Sequence, residues 1–425
     1  MSTKRTPALG FIFITLLLDV MGFGLIIPVI QKLIVGMLHC TNAEASIYGG
    51  FLLFAFAGMQ FLFSPIMGNL SDQFGRRPVL LFALFGFSLD YLILAVAPTI
   101  GWLFVGRILA GITGASFTTA TAYIADITPP EKRAQNFGMI GVAFGIGFII
   151  GPLLGGFLGK WGVRVPFFAA AGLTFINMVY GYFVLPESLS IENRRKFEWK
   201  RANPIGAFKN IKRHPTITGL VFSILLLYIA GHATQSTWIY ITAERFKWDS
   251  DMIGISLAIV GILVGVVQGG LIRIINPWLG LRKSIFIGLS IYFLGNVLFA
   301  FANKEWMMFA FMIPYCLGGF ANPALQATIA NQVPANQQGE LQGTLTSLQS
   351  LSNIIGPLLM TNLFAYFASS AAPVYFPGAP FLMGGILVVA SIYVIWRALS
   401  ANPTLGQEVP GTVEIEDLMA VGSER

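Results

Sequence analysis

The chain has 425 residues, 55% hydrophobic and 11% charged, with a mean hydropathy of +0.74 and a formal net charge of +7. A charged fraction so far below the roughly 25% of soluble proteins, with apolar runs of about 20 residues recurring from end to end, excludes a soluble globular domain and predicts an all-α polytopic membrane protein. A transmembrane barrel is excluded because its strands would be about ten residues of alternating polarity.

In chain order the apolar runs predict twelve transmembrane helices, at 10–34, 47–69, 78–97, 101–124, 136–159, 165–185, 216–242, 252–273, 283–302, 306–329, 343–367 and 380–399. The first run begins at Pro7, is longer than a signal-peptide core and lacks a small-residue cleavage site, so it stays as the first span. A compact polar turn, Gly68 to Val79 (GNLSDQFGRRPV), then ties the second span to the third and gathers Asp72, Arg76 and Arg77 at one membrane surface. The longest polar segment, 187–214, divides the spans six and six, and a tail from 401 to 425 is acidic towards its end. The expected units are therefore a first half (1–186), a linker (187–214), a second half (215–400) and a tail.

Lys and Arg are distributed unevenly between the two sides. The side bearing the N-terminus holds nineteen and the other six, which predicts cytoplasmic termini by the positive-inside rule and an inner or plasma membrane location. The basic balance thus reports topology, with no case for nucleic acid as a partner. Cys40 and Cys316 fall in a loop and a span, so neither a structural disulfide nor a metal centre is expected, and no cofactor motif occurs. The absence of a G-x-x-x-x-G-K-[ST] run excludes ATP-driven transport by that route.

The halves repeat. GPLL occurs at Gly151 and again at Gly356, 205 residues later, and the same offset aligns Ala125–Gly138 with Ala330–Gly343. Two duplicated six-helix halves with a site between them describe an alternating-access transporter. The repeat also pairs Arg76 and Arg77 with Arg282 and Lys283 and sets Trp278 opposite Asp72, so only the first copy is a complete charged latch.

At this point a family resemblance becomes specific. GNLSDQFGRRPV resembles the loop between helices two and three of the major facilitator superfamily, and GVAFGIGFIIGPLLGG from Gly141 resembles the fifth-helix motif of its proton-coupled antiporters. LLLDVMGFGLIIPV from Leu16, GRILAGITGAS from Gly106 and PALQATIANQVPANQQGELQG from Pro323 are similar to the tetracycline-efflux family. The resemblance covers nearly all twelve spans and implies two pseudo-symmetric halves.

Charges inside the spans are few: Asp19, Asp90 and Arg107, with Asp126 near a span end. Each costs about 2.5–3.5 kcal/mol at a helix centre, so it is expected to be paired or to face a wet cavity. Burial of Asp19 near mid-depth favours its protonated form, which suits a proton carrier or a site for a cationic substrate. An alternative is a carboxylate locked to Arg107. The resemblance implies that Asp90 belongs to the transport set and that Arg107 is the coupling arginine, although Arg107 also suits anchoring at the interface. Gln60, Tyr228, His232, Gln235, Gln268, Asn322 and Gln326 are uncharged polar candidates for substrate contact, with plain interhelical hydrogen bonding as the alternative. His232 titrates at about pH 6.5 when unperturbed and is the single histidine within a span. Gly68, Gly75, Gly151 and Pro152 join Asp72, Arg76, Arg77 and Asp126 as gating candidates, with the fifth-span glycines making a smooth stripe for another helix. By resemblance, Asp72 is expected to face the start of the eleventh helix, and Arg76 to pair with Asp126 in the outward-open state. The family's second-half His and Asp fall on Val264 and Tyr292.

These readings together predict a monomeric, proton-coupled exporter of an amphipathic small molecule. The alternatives are an importer or facilitator of a sugar or peptide, and a non-transporting receptor; the fifth-span motif disfavours the first, and the intramembrane carboxylates the second.

Overall fold

The computed structural model describes residues 6–114, 116–128, 133–197, 215–333 and 338–401, and the expected linker and acidic tail lie largely outside them. Fifteen α-helices build the described chain: α1 (Thr6–Leu38), α2 (Asn42–Phe74), α3 (Arg76–Val96), α4 (Ile100–Thr113), α5 (Ser116–Ile127), α6 (Arg133–Gly159), α7 (Val165–Val184), α8 (Pro215–Gln235), α9 (Trp238–Phe246), α10 (Ser250–Val266), α11 (Ile272–Phe301), α12 (Glu305–Leu317), α13 (Ala321–Ala330), α14 (Gln338–Phe367) and α15 (Ala379–Ala401). Eleven spans are long and apolar enough to cross a membrane, and the more polar 30-residue α14 completes the twelve. Among the described residues there is no strand.

Four spans expected to be continuous are jointed. The fourth breaks at Gly114 between α4 and α5, and the seventh at Ser236–Thr237 between α8 and α9. The eighth ends in a π turn (Val267–Leu271), and the tenth passes through a 3₁₀ turn (Gly318–Phe320). These joints free backbone groups that hydrophobic patterning cannot reveal, because the flanking residues stay apolar.

Two of the helix starts away from the termini are capped by side chains. Thr41 and Glu44 form a capping box on α2, with Glu44 N donating to Thr41 Oγ1 at 3.2 Å, and Asp249 accepts from Met252 N at the start of α10. The two halves pack alike. In the first, α1 packs on α6 and α7, α2 on α4, and α3 on α4 and α7; in the second, α8 packs on α14 and α15, α10 on α12, and α11 on α12 and α15. Arginines close the same positions in each. Arg164 donates to the carbonyls of Ala95 and Ala97 at 2.8 and 2.7 Å, and Arg245 to those of Ala300 and Ala302 at 3.2 and 2.6 Å. The carbonyls are 205 residues apart, whereas the arginines come from different elements, Arg164 from the residue before α7 and Arg245 from the last turn of α9.

Backbone geometry corrects the register of the charged turn by one residue. Gly75 has φ 106° and Gly280 φ 73°, a left-handed conformation that favours glycine, and they too lie 205 residues apart. In that register Pro277, not Trp278, stands opposite Asp72, and Leu281 and Arg282 stand opposite Arg76 and Arg77.

The halves meet through α6 with α10 and α2 with α14. On the side away from the termini they share one core, in which Leu25, Val29 and Leu52 pack with Trp238, Tyr240, Met360 and Phe364. Towards the termini each half keeps its own: Phe11, Leu16, Leu80 and Tyr123 in the first, Leu220, Ile285, Leu325 and Leu345 in the second. Added Cβ atoms at Gly254 and Gly261 of α10 would strike Pro152 and Ile149 of α6. At Gly141, Gly145, Gly265 and Gly269 they would meet nothing within 4 Å. The two halves are therefore closed at one end and splayed towards the end bearing the termini.

Candidate functional site

The charged residues inside the membrane converge at the junction of α3, α4 and α1. Asp90 belongs to the inward stripe of α3 with Ala83 and Gly86, and Arg107 follows Gly106, whose missing side chain admits the carboxylate: a Cβ there would stand 2.7 Å from Asp90 Oδ1. Arg107 Nη2 donates to Asp90 Oδ2 in a buried ion pair, with Asp90 0% and Arg107 7% exposed. The guanidinium lies 5.8 Å from the centroid of Phe56 and 5.9 Å from that of Tyr91, within cation–π range. Asp90 Oδ1 and Arg107 Nε have no hydrogen-bond partner among the described residues.

Tyr91 carries the pair to α1. Its hydroxyl would touch a Cβ at Gly22 at 2.9 Å, and it lies within electrostatic reach of Asp19, half-buried about one turn earlier. Arg107 meets its carboxylate at Asp90, whereas the alternative named above set Asp19 against it. Asp90 is fully buried in this structure.

The neutral candidates fall into separate groups. Gln60 Nε2 donates to the Gly114 carbonyl at 3.1 Å and so closes the joint of the fourth span. His232 hydrogen-bonds Asn353 of α14, which also accepts from Gln349 at 3.0 Å. Gln235 is exposed at the end of α8, where Gly231 faces both its amide and the Tyr292 hydroxyl. Tyr292 in turn donates to Tyr315 at 3.4 Å. Gln326 donates to Asn322 one turn away on α13, at 3.4 Å. Tyr228 and Val264 are half-buried, and Gln268 is exposed within the π turn, a rare geometry that often marks functional positions.

Among the described residues, the polar turn is a network of the first half and the start of the linker. Arg76 bridges Asp72 at 2.5 Å and Asp126 at 3.1 Å, and donates to Ser71 Oγ at 2.6 Å. Arg77 donates to the Tyr182 carbonyl. Glu187, which apolar patterning assigns to the linker, is the centre of this cluster: it accepts from the backbone of Arg76 at 2.8 Å and Arg77 at 3.3 Å, and from Ser188 and Leu189. It thereby caps α3, whose own cap residue Gly75 has no side chain. A lone acid straight after an apolar run is the one signal that marks it in the sequence.

Arg76 thus pairs with Asp126 and with Asp72 in this structure. The expected contact of Asp72 with the start of α14 falls on side chains at 334–340, which lie outside the described residues. The fifth-span stripe is an internal seam. Gly147, Gly151 and Gly155 rest on α1 between Leu17 and Leu25, and the Pro152 ring on Gly24, whereas the Pro152 carbonyl and Gly156 face α10. No group of three or more His, Cys, Asp or Glu suited to a metal occurs among the described residues.

The site's geometry can be set beside known proteins. The family model of the Major Facilitator Superfamily matches residues 12–281 and 274–419. The chain is 39% identical over 401 residues to the tetracycline resistance protein, class C, of Escherichia coli, covering 94% of this chain and 99% of that protein. It is 36% identical to the class H protein of Pasteurella multocida, over 88% of this chain and 92% of that one. A solved bacterial homolog of the human lysosomal transporter Spinster, in an inward-facing, occupied conformation, superposes with a TM-score of 0.75 at 15% identity, covering 97% of this chain and all of that one. The chain is a multi-pass membrane protein that belongs to the major facilitator superfamily.

Proposed function

We propose that this proton-coupled drug exporter carries its proton on Asp90 and Asp19, with Arg107 as the residue that couples them. The buried Asp90–Arg107 pair, joined to α1 through Tyr91, is the observation that carries the reading. Protonation of Asp90 leaves Arg107 buried without its counter-charge, a costly state that draws the guanidinium towards the remaining carboxylate at Asp19. Movement of α4 against α1 and α3 then links proton binding to the change of access.

The substrate is an amphipathic drug received between the halves, on the inner faces of spans one, four, seven and ten. Asp19 faces its cationic part, and Gln60, Tyr228, His232, Gln235, Gln268, Asn322 and Gln326 supply neutral hydrogen bonds. The names of the relatives make tetracycline the first compound to test. Val264 and Tyr292 leave their part of the second-half wall uncharged, which favours recognition there by apolar and phenolic contact. The Asp72–Arg76–Asp126 cluster, with Gly68, Gly75, Arg77, Gly151 and Pro152, acts as gating machinery. The Lys and Arg asymmetry supports cytoplasmic termini in an inner or plasma membrane, and the transporter is taken to act as a monomer.

The experiment is drug-driven proton movement in liposomes holding the purified protein, with tetracycline and ethidium as probes. Wild type is expected to move protons with a transported probe, and Asp19→Asn and Asp90→Asn to lose that movement. Unchanged coupling in both variants overturns the assignment.

A further inference from the structure

On the side away from the termini, three polar links cross between the halves among the described residues. The buried Ser46 hydroxyl of α2 reaches the Thr361 carbonyl of α14 at 3.2 Å, but its shorter bond, at 2.7 Å, is to the Ala43 carbonyl of its own helix. Lys160 Nζ meets Asp251 Oδ2 at 2.7 Å, but with the lysine side chain 54% exposed it is a solvated bridge of the sort that contributes little. The third link is a chain of four side chains. Gln31 of α1 donates to Asn42 Oδ1, Asn42 Nδ2 donates to Glu244 Oε2 at 2.8 Å, and the Tyr375 hydroxyl donates to Glu244 Oε1 at 3.1 Å. Arg245 does not neutralise its neighbour, because its guanidinium is held by the carbonyls of Ala300 and Ala302.

We infer that the Asn42–Glu244 bond is the latch that holds this side shut, and that Glu244 is a gating residue of the transport cycle. The role rests on the alternating-access reading above. The bonds of the chain each have one direction. Gln31 occupies Asn42 Oδ1, so the amide must present Nδ2 to Glu244; Tyr375 occupies one oxygen of Glu244, so the other faces Asn42. Asn42 moves with α2 and the first half, Glu244 with α9 and the second, and opening this side must part them. The apolar core beneath is non-directional, whereas this link closes only when donor meets acceptor.

The direction of the bonds supplies the test. Asn42→Asp keeps the acceptor for Gln31 but sets a carboxylate against Glu244. Combining it with Glu244→Gln restores every bond with the polarity of the central one reversed. The new carboxylate at position 42 then accepts from Gln31 and from the new amide at position 244, whose oxygen still accepts from Tyr375. Spin labels on cysteines placed at Gly36 and Lys304, on opposite halves of this side, report the distance in the full chain, with Cys40 and Cys316 replaced by serine. Asn42→Asp is expected to raise the ratio of long to short distances about tenfold, and the double variant to return it to the wild-type value. A wild-type distribution in Asn42→Asp, or a double variant as open as the single one, overturns the latch. Glu244→Ala removes the acceptor without adding charge and must open the same side, so it decides the matter where Asn42→Asp does not fold. These distances are read without any substrate, so failure of the proton assignment leaves them intact, and the reverse also holds.

Discussion

Asp90→Asn isolates the electrostatics of the proposed coupling site. The substitution preserves shape and removes only the charge that faces Arg107. With Asp90 0% and Arg107 7% exposed, solvent does little to screen the orphaned guanidinium, and breaking such a buried pair costs about 3–5 kcal/mol. The asparagine oxygen still accepts one bond from Arg107, which sets the expectation near the lower end, at about 3 kcal/mol. Arg107→Gln alone leaves the carboxylate buried without its cation and should cost about as much, whereas the double variant removes both charges and should recover most of the loss. Unfolding of the four proteins in mild detergent under reversible conditions gives the coupling energy. Additive losses, with the double variant as unstable as the sum of the singles, would refute the pair as an energetic unit.

Two further outcomes follow from the packing. Glu187→Ala strips the cap from α3 and should destabilise the protein by about 1–2 kcal/mol, read as a lowered unfolding midpoint, because the side chain is half-buried and water replaces only some of its four backbone bonds. Gly151→Val drives a Cβ to 2.8 Å from the Met21 carbonyl oxygen and 3.0 Å from Gly24 Cα, backbone atoms that cannot turn aside, and should cost at least about 1–3 kcal/mol. Gly145→Val, with nothing within 4 Å, should stay within about 0.5 kcal/mol on the same measurement.

The elements legible in the sequence are those written in local pattern. Apolar runs mark the spans, and Gly75 with its basic neighbours marks the turn, because charges between two membrane segments have few places to go. The one-residue slip in the second copy comes from matching Arg282 and Lys283 to the basic pair, although the left-handed backbone at Gly280 is what the two turns share. Asp90 and Arg107 stand out as intramembrane charges, yet nothing in their spacing tells that they bond each other across two helices. Glu187 escapes because its role is set by the missing side chain of Gly75, more than a hundred residues earlier. The Asn42–Glu244 link depends on which way the halves are tilted, a property of one conformation that no pattern along the chain encodes.

The polarity of α14 bears on how the chain enters the bilayer. Gln342, Thr346, Gln349, Ser350 and Asn353 crowd its first sixteen residues, and it is the least apolar of the twelve expected spans. Its hydroxyls return to the helix's own carbonyls, as Thr346 does to Gln342 at 2.9 Å and Ser350 to Thr346 at 3.0 Å. Such a segment partitions weakly into lipid on its own and depends on α2 and α8, already in place, to receive it. The strongly apolar α15 behind it supplies the missing drive, so the last two helices enter as one hairpin. A chain that stops before Ala379 would leave α14 at the membrane surface, and with it the side chain that holds His232.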